Sequence, residues 1–262
     1  MDRRANASMQ FELDSATELV LSVAIASTSA DEELSVLQGG RALAVREILD
    51  QHGTRLHVAD AAAGRVSVTY RVRQAGIIPA PVHDPVDLIR YLRPSRYCES
   101  DALFPTARSE FAGLAGHDLL NSVSSWVGQH LAYVPGSSLP TDGAVRTLLS
   151  RQGVCRDYAH LVIALLRALD VPARMASVYA PGLDPMDFHA VAEAWVDGDW
   201  QVVDATSLAP RQSLMRIATG RDAADTAFLS NSGGWLTGLE LEVSAVADIL
   251  PRDDISQLVQ LG

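Results

Sequence analysis

The sequence is poor in cysteine, in basic residues and in long apolar runs. Its 262 residues include two cysteines, Cys98 and Cys155, and a chain of this size does not need disulfides to hold its core together. We therefore expect free thiols and a reducing, cytoplasmic location. Acidic residues outnumber basic residues by 32 to 21, for a formal net charge of −11, which disfavours nucleic acid as a partner. No apolar run reaches the roughly 18 residues typical of a membrane-spanning helix, so we expect no membrane partner.

Signals for export and for metal binding are also weak. An apolar stretch at 19–26 follows two arginines as in a signal peptide, but Glu12, Asp14 and Glu18 interrupt the segment that should lack acids. We therefore do not expect export. The seven histidines form no H-E-x-x-H motif, and no C-x-x-C motif occurs. The sequence therefore predicts neither a metal site nor a cofactor.

The hydrophobic periodicity changes near residue 80. Before it, apolar and polar residues alternate between Val66 and Arg73, and further short strands are predicted at 19–26 and 55–59. Prolines at three of the seven positions 79–85 break any strand there and mark a connection. We predict a β-rich N-terminal region, residues 1–80, followed by a second domain, residues 81–262.

The second region has the pattern of an α+β domain. Apolar residues recur at helical spacing over 119–131, and again from the vicinity of Cys155 until Val171-Pro172 stops the pattern. Two helices followed by strands that alternate favour helices packed on an antiparallel sheet. The predicted strands are residues 175–179, 188–196, 200–203 and 239–246.

Cys155 lies at the predicted start of a helix. Free backbone N–H groups and the helix dipole favour a thiolate there, which is the nucleophilic form of cysteine. The alternative is a buried cysteine that only fills space. His160 is rotated by about 140° and displaced by about 7.5 Å along the helix, so it does not easily reach the sulfur. A general base for Cys155 therefore has to come from elsewhere, and we assign His160 and Asp157 structural or solvated roles.

His189 and Asp204 are the candidate partners of this thiol. Asp197-Gly198 favours a two-residue type I′ hairpin, in which Val196 pairs with Asp199. In that register, His189 and Asp204 lie on the same face of the sheet. They are diagonal neighbours on adjacent strands, with backbone positions about 7–8 Å apart. Asp204 would then orient the imidazole, whose other nitrogen would serve the thiol. Each residue also has a structural alternative. His189 is then a hydrogen-bonded histidine of the core, and Asp204 is a carboxylate that caps the following turn.

Three ordered segments resemble the core of bacterial transglutaminase-like proteins. The segments are 153–160 (GVCRDYAH), 187–190 (DFHA) and 200–206 (WQVVDAT), and the resemblance extends over about residues 119–228. The family implies a papain-like α+β core, in which the helix bearing the nucleophile packs on an antiparallel sheet. Two departures affect the expected pocket: Ala205 stands where relatives commonly have proline, and Ala190-Val191 replaces a tryptophan often found after the histidine.

The resemblance implies a Cys155, His189 and Asp204 triad that forms a thioester from an amide and passes the acyl group to water or to an amine. The backbone N–H of Cys155 would stabilise the oxyanion. Tyr133 is a second donor, with a packing role as its alternative. The expected substrate is a peptide, a protein or a small amide. The rival hypothesis is a non-catalytic module that keeps this fold to bind a peptide or protein.

Overall fold

The computed structural model describes residues 1–76, 78 and 84–261. These residues form three antiparallel sheets, one short parallel bridge and five α-helices. The strands are β1 (Asp2–Leu13), β2 (Thr17–Leu21), β3 (Glu32–Gln38), β4 (Arg41–Ala42), β5 (Arg46–Leu49), β6 (Arg55–Ala61), β7 (Gly64–Ala75), β8 (Ala132–Tyr133), β9 (Gln152–Gly153), β10 (Ala173–Tyr179), β11 (Phe188–Val196), β12 (Asp199–Val203), β13 (Met215–Gly220), β14 (Leu229–Ser232) and β15 (Leu236–Ala247). The helices are α1 (Pro85–Arg90), α2 (Ser100–Phe111), α3 (Gly116–His130), α4 (Ala144–Ser150) and α5 (Cys155–Ala168), and 3₁₀ turns lie at Gln51–Gly53 and Arg211–Ser213.

The N-terminal region consists of two sheets that share one apolar core. Their strand orders are β15-β1-β7-β3-β4 and β14-β2-β6-β5. The alternation in β7 buries Val66, Val68 and Tyr70 as predicted, because successive side chains of a strand point to opposite faces. The predicted strand at 19–26 is shorter than expected, since β2 ends at Leu21, although Val23 and Ile25 remain buried.

The last strand belongs to this N-terminal sheet. β15 is antiparallel to β1, from Arg3 opposite Ala247 to Leu13 opposite Leu236. The sequence predicts a strand at this position but does not indicate its partner. The predicted boundary between residues 80 and 81 lies outside the described residues and stays a prediction.

The second region is an antiparallel sheet covered by helices, as predicted. The sheet has the order β12-β11-β10-β13, and α5 packs on β10 and β11. Helices α2, α3 and α4 pack in turn on α5, although the hydrophobic periodicity predicts only α3 among these. Helix α5 is buried along almost its whole length and ends at Ala168, before Val171-Pro172. It therefore forms the centre of the domain and holds Cys155 in a fixed place.

A buried ion cluster joins three strands of this sheet. The carboxylate of Glu193 on β11 accepts hydrogen bonds from Arg174 on β10 at 2.8 Å and from Arg216 on β13 at 2.7 Å. Burial alone would raise the pKa of Glu193, but the two guanidinium charges lower it to about 2. Glu193 is therefore committed to holding the sheet together, although it lies on the same strand as His189.

Candidate active site

The start of α5 is held by a short network around Cys155. The carbonyl of Gly153 accepts a hydrogen bond from the N–H of Val134 at 3.0 Å, which anchors β8 beside β9. Asp157 accepts from the N–H of Val154 at 2.8 Å and so caps the helix from its third position. A Cβ on Gly153 would lie 2.6 Å from the Asp157 Cβ, so this approach requires glycine. The role of Asp157 is therefore structural: it fixes the turn that presents Cys155.

The hairpin between β11 and β12 has the predicted turn and register. Asp197 and Gly198 both have positive φ, 56° and 86°, as a type I′ turn requires. Val196 is opposite Asp199, and the ladder continues to Ala192 opposite Val203. Asp204 follows directly at the end of β12, which places its carboxylate beside the start of β11.

His189 and Asp204 are in direct contact and almost fully buried. The Nε2 atom of His189 lies 2.8 Å from Oδ2 of Asp204, and the two residues are 1% and 5% exposed. The other carboxylate oxygen accepts from the backbone N–H and the hydroxyl of Thr206, at 2.9 and 2.7 Å. Gly128 on α3 allows this turn to approach, because a Cβ there would lie 2.8 Å from the carbonyl oxygen of Ala205. Asp204 is therefore fixed at both oxygens.

The charges of this pair support each other. Burial lowers the pKa of His189, but Asp204 and, to a smaller extent, the nearby Cys155 raise it well above its usual value. Burial likewise raises the pKa of Asp204, but the imidazolium of His189 and the donors of Thr206 lower it below its usual value. Nδ1 of His189 has no standard hydrogen-bond partner among the described residues. Cys155 is close enough to His189 to contribute to its raised pKa.

Tyr133 lies beside Cys155, although it is 40% exposed. Partial burial and the negative charge of a Cys155 thiolate raise the pKa of its hydroxyl to about 12, against a smaller opposing effect of the Cys155 backbone N–H. The hydroxyl therefore keeps its proton at neutral pH. Two potential donors, the Tyr133 hydroxyl and the Cys155 backbone N–H, thus lie near the sulfur.

A cleft of about 470 Å³ opens onto Cys155 and His189. Its apolar lining includes Met175, Phe188 and Phe228, together with several alanines. The polar groups are few and include Asp187, Arg156 and Ser177. The cleft therefore offers a mainly apolar surface with a small number of charged groups beside the thiol, an arrangement typical of a small-molecule or peptide site.

Residues 114–205 match the family model of the transglutaminase-like superfamily. Over nearly its full length, the chain is also similar to the crystal structure of a candidate cysteine protease from Cytophaga hutchinsonii. The two share 32% sequence identity with a TM-score of 0.86, and the match covers 98% of this chain and 96% of the other. The chain belongs to the transglutaminase-like superfamily.

Curated relatives of this transglutaminase-like protein come from mycobacteria. An uncharacterised protein of Mycobacterium leprae is 29% identical over 132 residues, which is 47% of each chain. An uncharacterised protein of Mycobacterium tuberculosis is 32% identical over 123 residues, 41% of this chain and 39% of the relative. The match thus spans less than half the length of these curated relatives.

One wall of the cleft comes from the segment that follows β13. Residues 223, 224 and 226–230 line the cleft, and the carbonyl of Phe228 accepts a hydrogen bond from the N–H of Ser22 at 2.9 Å. The ring of Phe228 stacks on Phe188, the neighbour of His189, with centroids 5.0 Å apart. The N-terminal region thus supports the wall of the cleft beside Cys155.

His160 and Cys98 are both buried and have packing roles. His160 is buried, stacks on Tyr97 at a centroid distance of 5.3 Å and accepts a hydrogen bond from the N–H of Ala223 at 3.1 Å. Burial lowers the pKa of His160 to about 3, so it stays neutral. Cys98 is fully buried, and burial raises the pKa of its thiol well above the usual range. It is a packed thiol and lies outside the cleft lining.

Within the described ranges, no group of three or more His, Cys, Asp or Glu side chains is placed to hold a metal ion. No helix in this part of the chain is long and apolar enough to cross a membrane.

Proposed function

We propose that the protein is a cysteine-dependent acyl-transfer enzyme that acts on a peptide, a protein or a small amide. The observation that carries the proposal is the 2.8 Å contact between buried His189 and Asp204, beside a thiol at the start of α5. A nucleophile, a base and a residue that orients the base are the three roles needed for covalent catalysis by a side chain.

The reaction begins when the sulfur of Cys155 attacks the carbonyl carbon of the amide. Before this step, the thiol proton passes to Nδ1 of His189, whose positive charge is stabilised by Asp204 at Nε2. The developing oxyanion accepts hydrogen bonds from the Cys155 backbone N–H and the Tyr133 hydroxyl. When the C–N bond breaks, His189 gives its proton to the leaving amine, and a thioester remains on Cys155.

The thioester is then resolved by water or by an amine. His189 takes a proton from the attacking molecule, and the Cys155 thiolate leaves as the new bond to the acyl group forms. Attack by water gives hydrolysis, as in a peptidase or amidase, and attack by an amine gives transamidation. Exclusion of water from the cleft decides between the two outcomes.

Trapping of the thioester tests this proposal. We expect p-nitrophenyl acetate to acetylate Cys155, with a burst of nitrophenol, and peptide mass spectrometry to locate the acetyl group. Hydroxylamine should remove it, as expected of a thioester. Cys155→Ala, which retains Cys98, is the matched control and should show neither burst nor adduct. If folded wild-type protein carries no acyl group on Cys155 under these conditions, the proposal fails and a non-catalytic binding module becomes the better hypothesis.

Tyr133→Phe tests the proposed oxyanion donor. Loss of one such donor typically slows acyl transfer by about 10²-fold, and we expect a loss of about ten- to a hundredfold here because Tyr133 is partly exposed. Alkylation by iodoacetamide develops no oxyanion, so its rate should change little. The matched control is Tyr97→Phe, which removes the hydroxyl of a different tyrosine, one that lines the cleft. Equal slowing of acylation and alkylation would show instead that Tyr133 only packs against the site.

A further inference from the structure

Asp187 is a carboxylate of the cleft lining that has no cationic partner of its own. It shares the lining with Cys155 and His189 and is exposed to solvent. Its hydrogen bond comes from the N–H of Phe188 at 2.7 Å, and it forms no ion pair within the described residues. Three other acids of this domain are paired: Asp204 with His189, Glu193 with two arginines, and Asp225 with Arg221 at 2.8 Å.

The surroundings of Asp187 compensate its negative charge only in part. Although Asp187 is exposed, neighbouring groups screen part of its carboxylate from water and so raise its pKa, and the Phe188 N–H and His189 offset only part of this effect. His189 is already committed to Asp204. The position therefore carries a negative charge that a positive group would stabilise further.

Arg156, the arginine of the cleft lining, is engaged elsewhere. One of its terminal nitrogens donates to the hydroxyl of Ser138 at 3.0 Å and to the carbonyl of Leu139 at 2.9 Å. The same nitrogen lies 3.4 Å from Asp157, the helix cap. These contacts hold the guanidinium against the segment before α4 and leave Asp187 unneutralised.

From this arrangement we infer that Asp187 is a specificity residue that binds a primary ammonium group of the substrate next to the reacting carbonyl. The ammonium belongs either to the acyl donor, as a lysine side chain or a free amino terminus, or to an amine acceptor. The substrate class is therefore cationic, in agreement with the net negative charge of the chain. This inference rests on the proposed function of Cys155 as the reacting group.

Charged thiol reagents measure this preference without a known substrate. Cationic and anionic methanethiosulfonates, bearing a trimethylammonium or a sulfonate group, both react with a thiolate, and iodoacetamide serves as the neutral reference. We expect the cationic reagent to modify Cys155 faster, and Asp187→Asn to lower the cation-to-anion rate ratio by about tenfold, as expected for one charge a few ångströms away in a partly solvated cleft. In wild type, the ratio should also fall toward that of the variant at about 1 M salt.

A matched variant and the neutral reagent show whether the effect is local. Asp197→Asn removes the same charge at the exposed β11–β12 turn, where asparagine suits the positive φ, and should leave the ratio unchanged. An unchanged ratio in Asp187→Asn overturns the inference, as does equal slowing of all three reagents, which would mean that Asp187 acts through His189. Because these reagents report on any accessible thiolate, the result stands even if no acyl-enzyme forms.

The two sources of the ammonium are distinguished once an acyl-enzyme is available. If the acceptor supplies it, Asp187→Asn should lower the capture of the acetyl group by cadaverine but not by neutral hydroxylamine. If the donor supplies it, the variant should lose about tenfold in kcat/KM for a lysine nitrophenyl ester relative to the norleucine ester. Loss in neither comparison would overturn the assignment of substrate class.

Discussion

His189→Ala is expected to lower turnover by about 10³ to 10⁴-fold, because the variant lacks the group that moves protons between Cys155 and the leaving amine. Alkylation provides a readout that needs no substrate. An ordinary thiol of pKa about 8.5 is roughly 0.3% ionised at pH 6, whereas a thiolate paired with an imidazolium is almost fully ionised. Part of this advantage is lost, because a stabilised thiolate is less nucleophilic, with a Brønsted coefficient of about 0.4–0.5. We therefore expect alkylation of Cys155 at pH 6 to slow by about tenfold in the variant.

The same comparison at higher pH has a different expected outcome. At pH 9, the unpaired thiol of the variant is largely ionised and intrinsically more nucleophilic, so the two rates should converge or reverse. Cys98 is an internal control, because its complete burial should protect it in folded protein and expose it after denaturation. His130→Ala, on α3 and outside the cleft lining, controls for the loss of a histidine. Alkylation of Cys155 that is slow at pH 6 and indifferent to His189→Ala would contradict the thiolate–imidazolium pair.

Asp204→Asn is expected to lower kcat by about 10³ to 10⁴-fold while the protein stays folded. An asparagine can occupy the same volume but removes the charge that favours imidazolium and selects the tautomer of His189. The pKa of His189 should therefore fall, and the alkylation rate of Cys155 at pH 6 should fall with it. Asp197→Asn again serves as the control for a charge removed from the same hairpin. A loss of less than tenfold in kcat would show that Asp204 does not orient the base.

The stability of Asp204→Asn should depend on pH in a defined direction. The pKa of His189 is raised in the folded state. The stability that His189 contributes is therefore fully present below the pKa of about 6.5 in the unfolded chain, and it is lost as the pH rises toward the pKa in the folded protein. The pKa of Asp204 is lowered, so its contribution is present above about pH 4 and is lost as the pH falls. Urea unfolding should therefore show the largest difference from wild type, about 1–3 kcal/mol, between about pH 4 and 6.5. A difference that grows toward pH 10 would contradict these pKa directions.

Much of the geometry of the candidate site follows from short-range sequence signals. Asp197-Gly198 specifies a type I′ turn because two residues with positive φ join antiparallel strands without splaying them. The register of that hairpin then brings His189 to Asp204 across a short loop. Helical periodicity after Cys155 likewise places the thiol at the first turn of α5.

Contacts between distant segments could not be predicted in this way. The pairing of β15 with β1 joins the two ends of the chain, and the Phe228 wall of the cleft depends on a hydrogen bond to Ser22. Alternation identifies a strand but contains no information about its partner, which is selected by burial and register over the whole fold. The close approaches at Gly128 and Gly153 could not be predicted from the sequence either, because a glycine in the sequence does not show which atom will lie against it.

The amino-acid sequence was sufficient to place Cys155 at a helix start and His189 and Asp204 on one hairpin, because helix starts and tight turns depend on residues close together in the chain. The folded molecule was needed to show the shape of the cleft, the burial that sets the pKa values of His189 and Asp204, and the unpaired carboxylate of Asp187. These properties depend on which distant groups come to surround an atom, since burial and the charges around it determine its electrostatics.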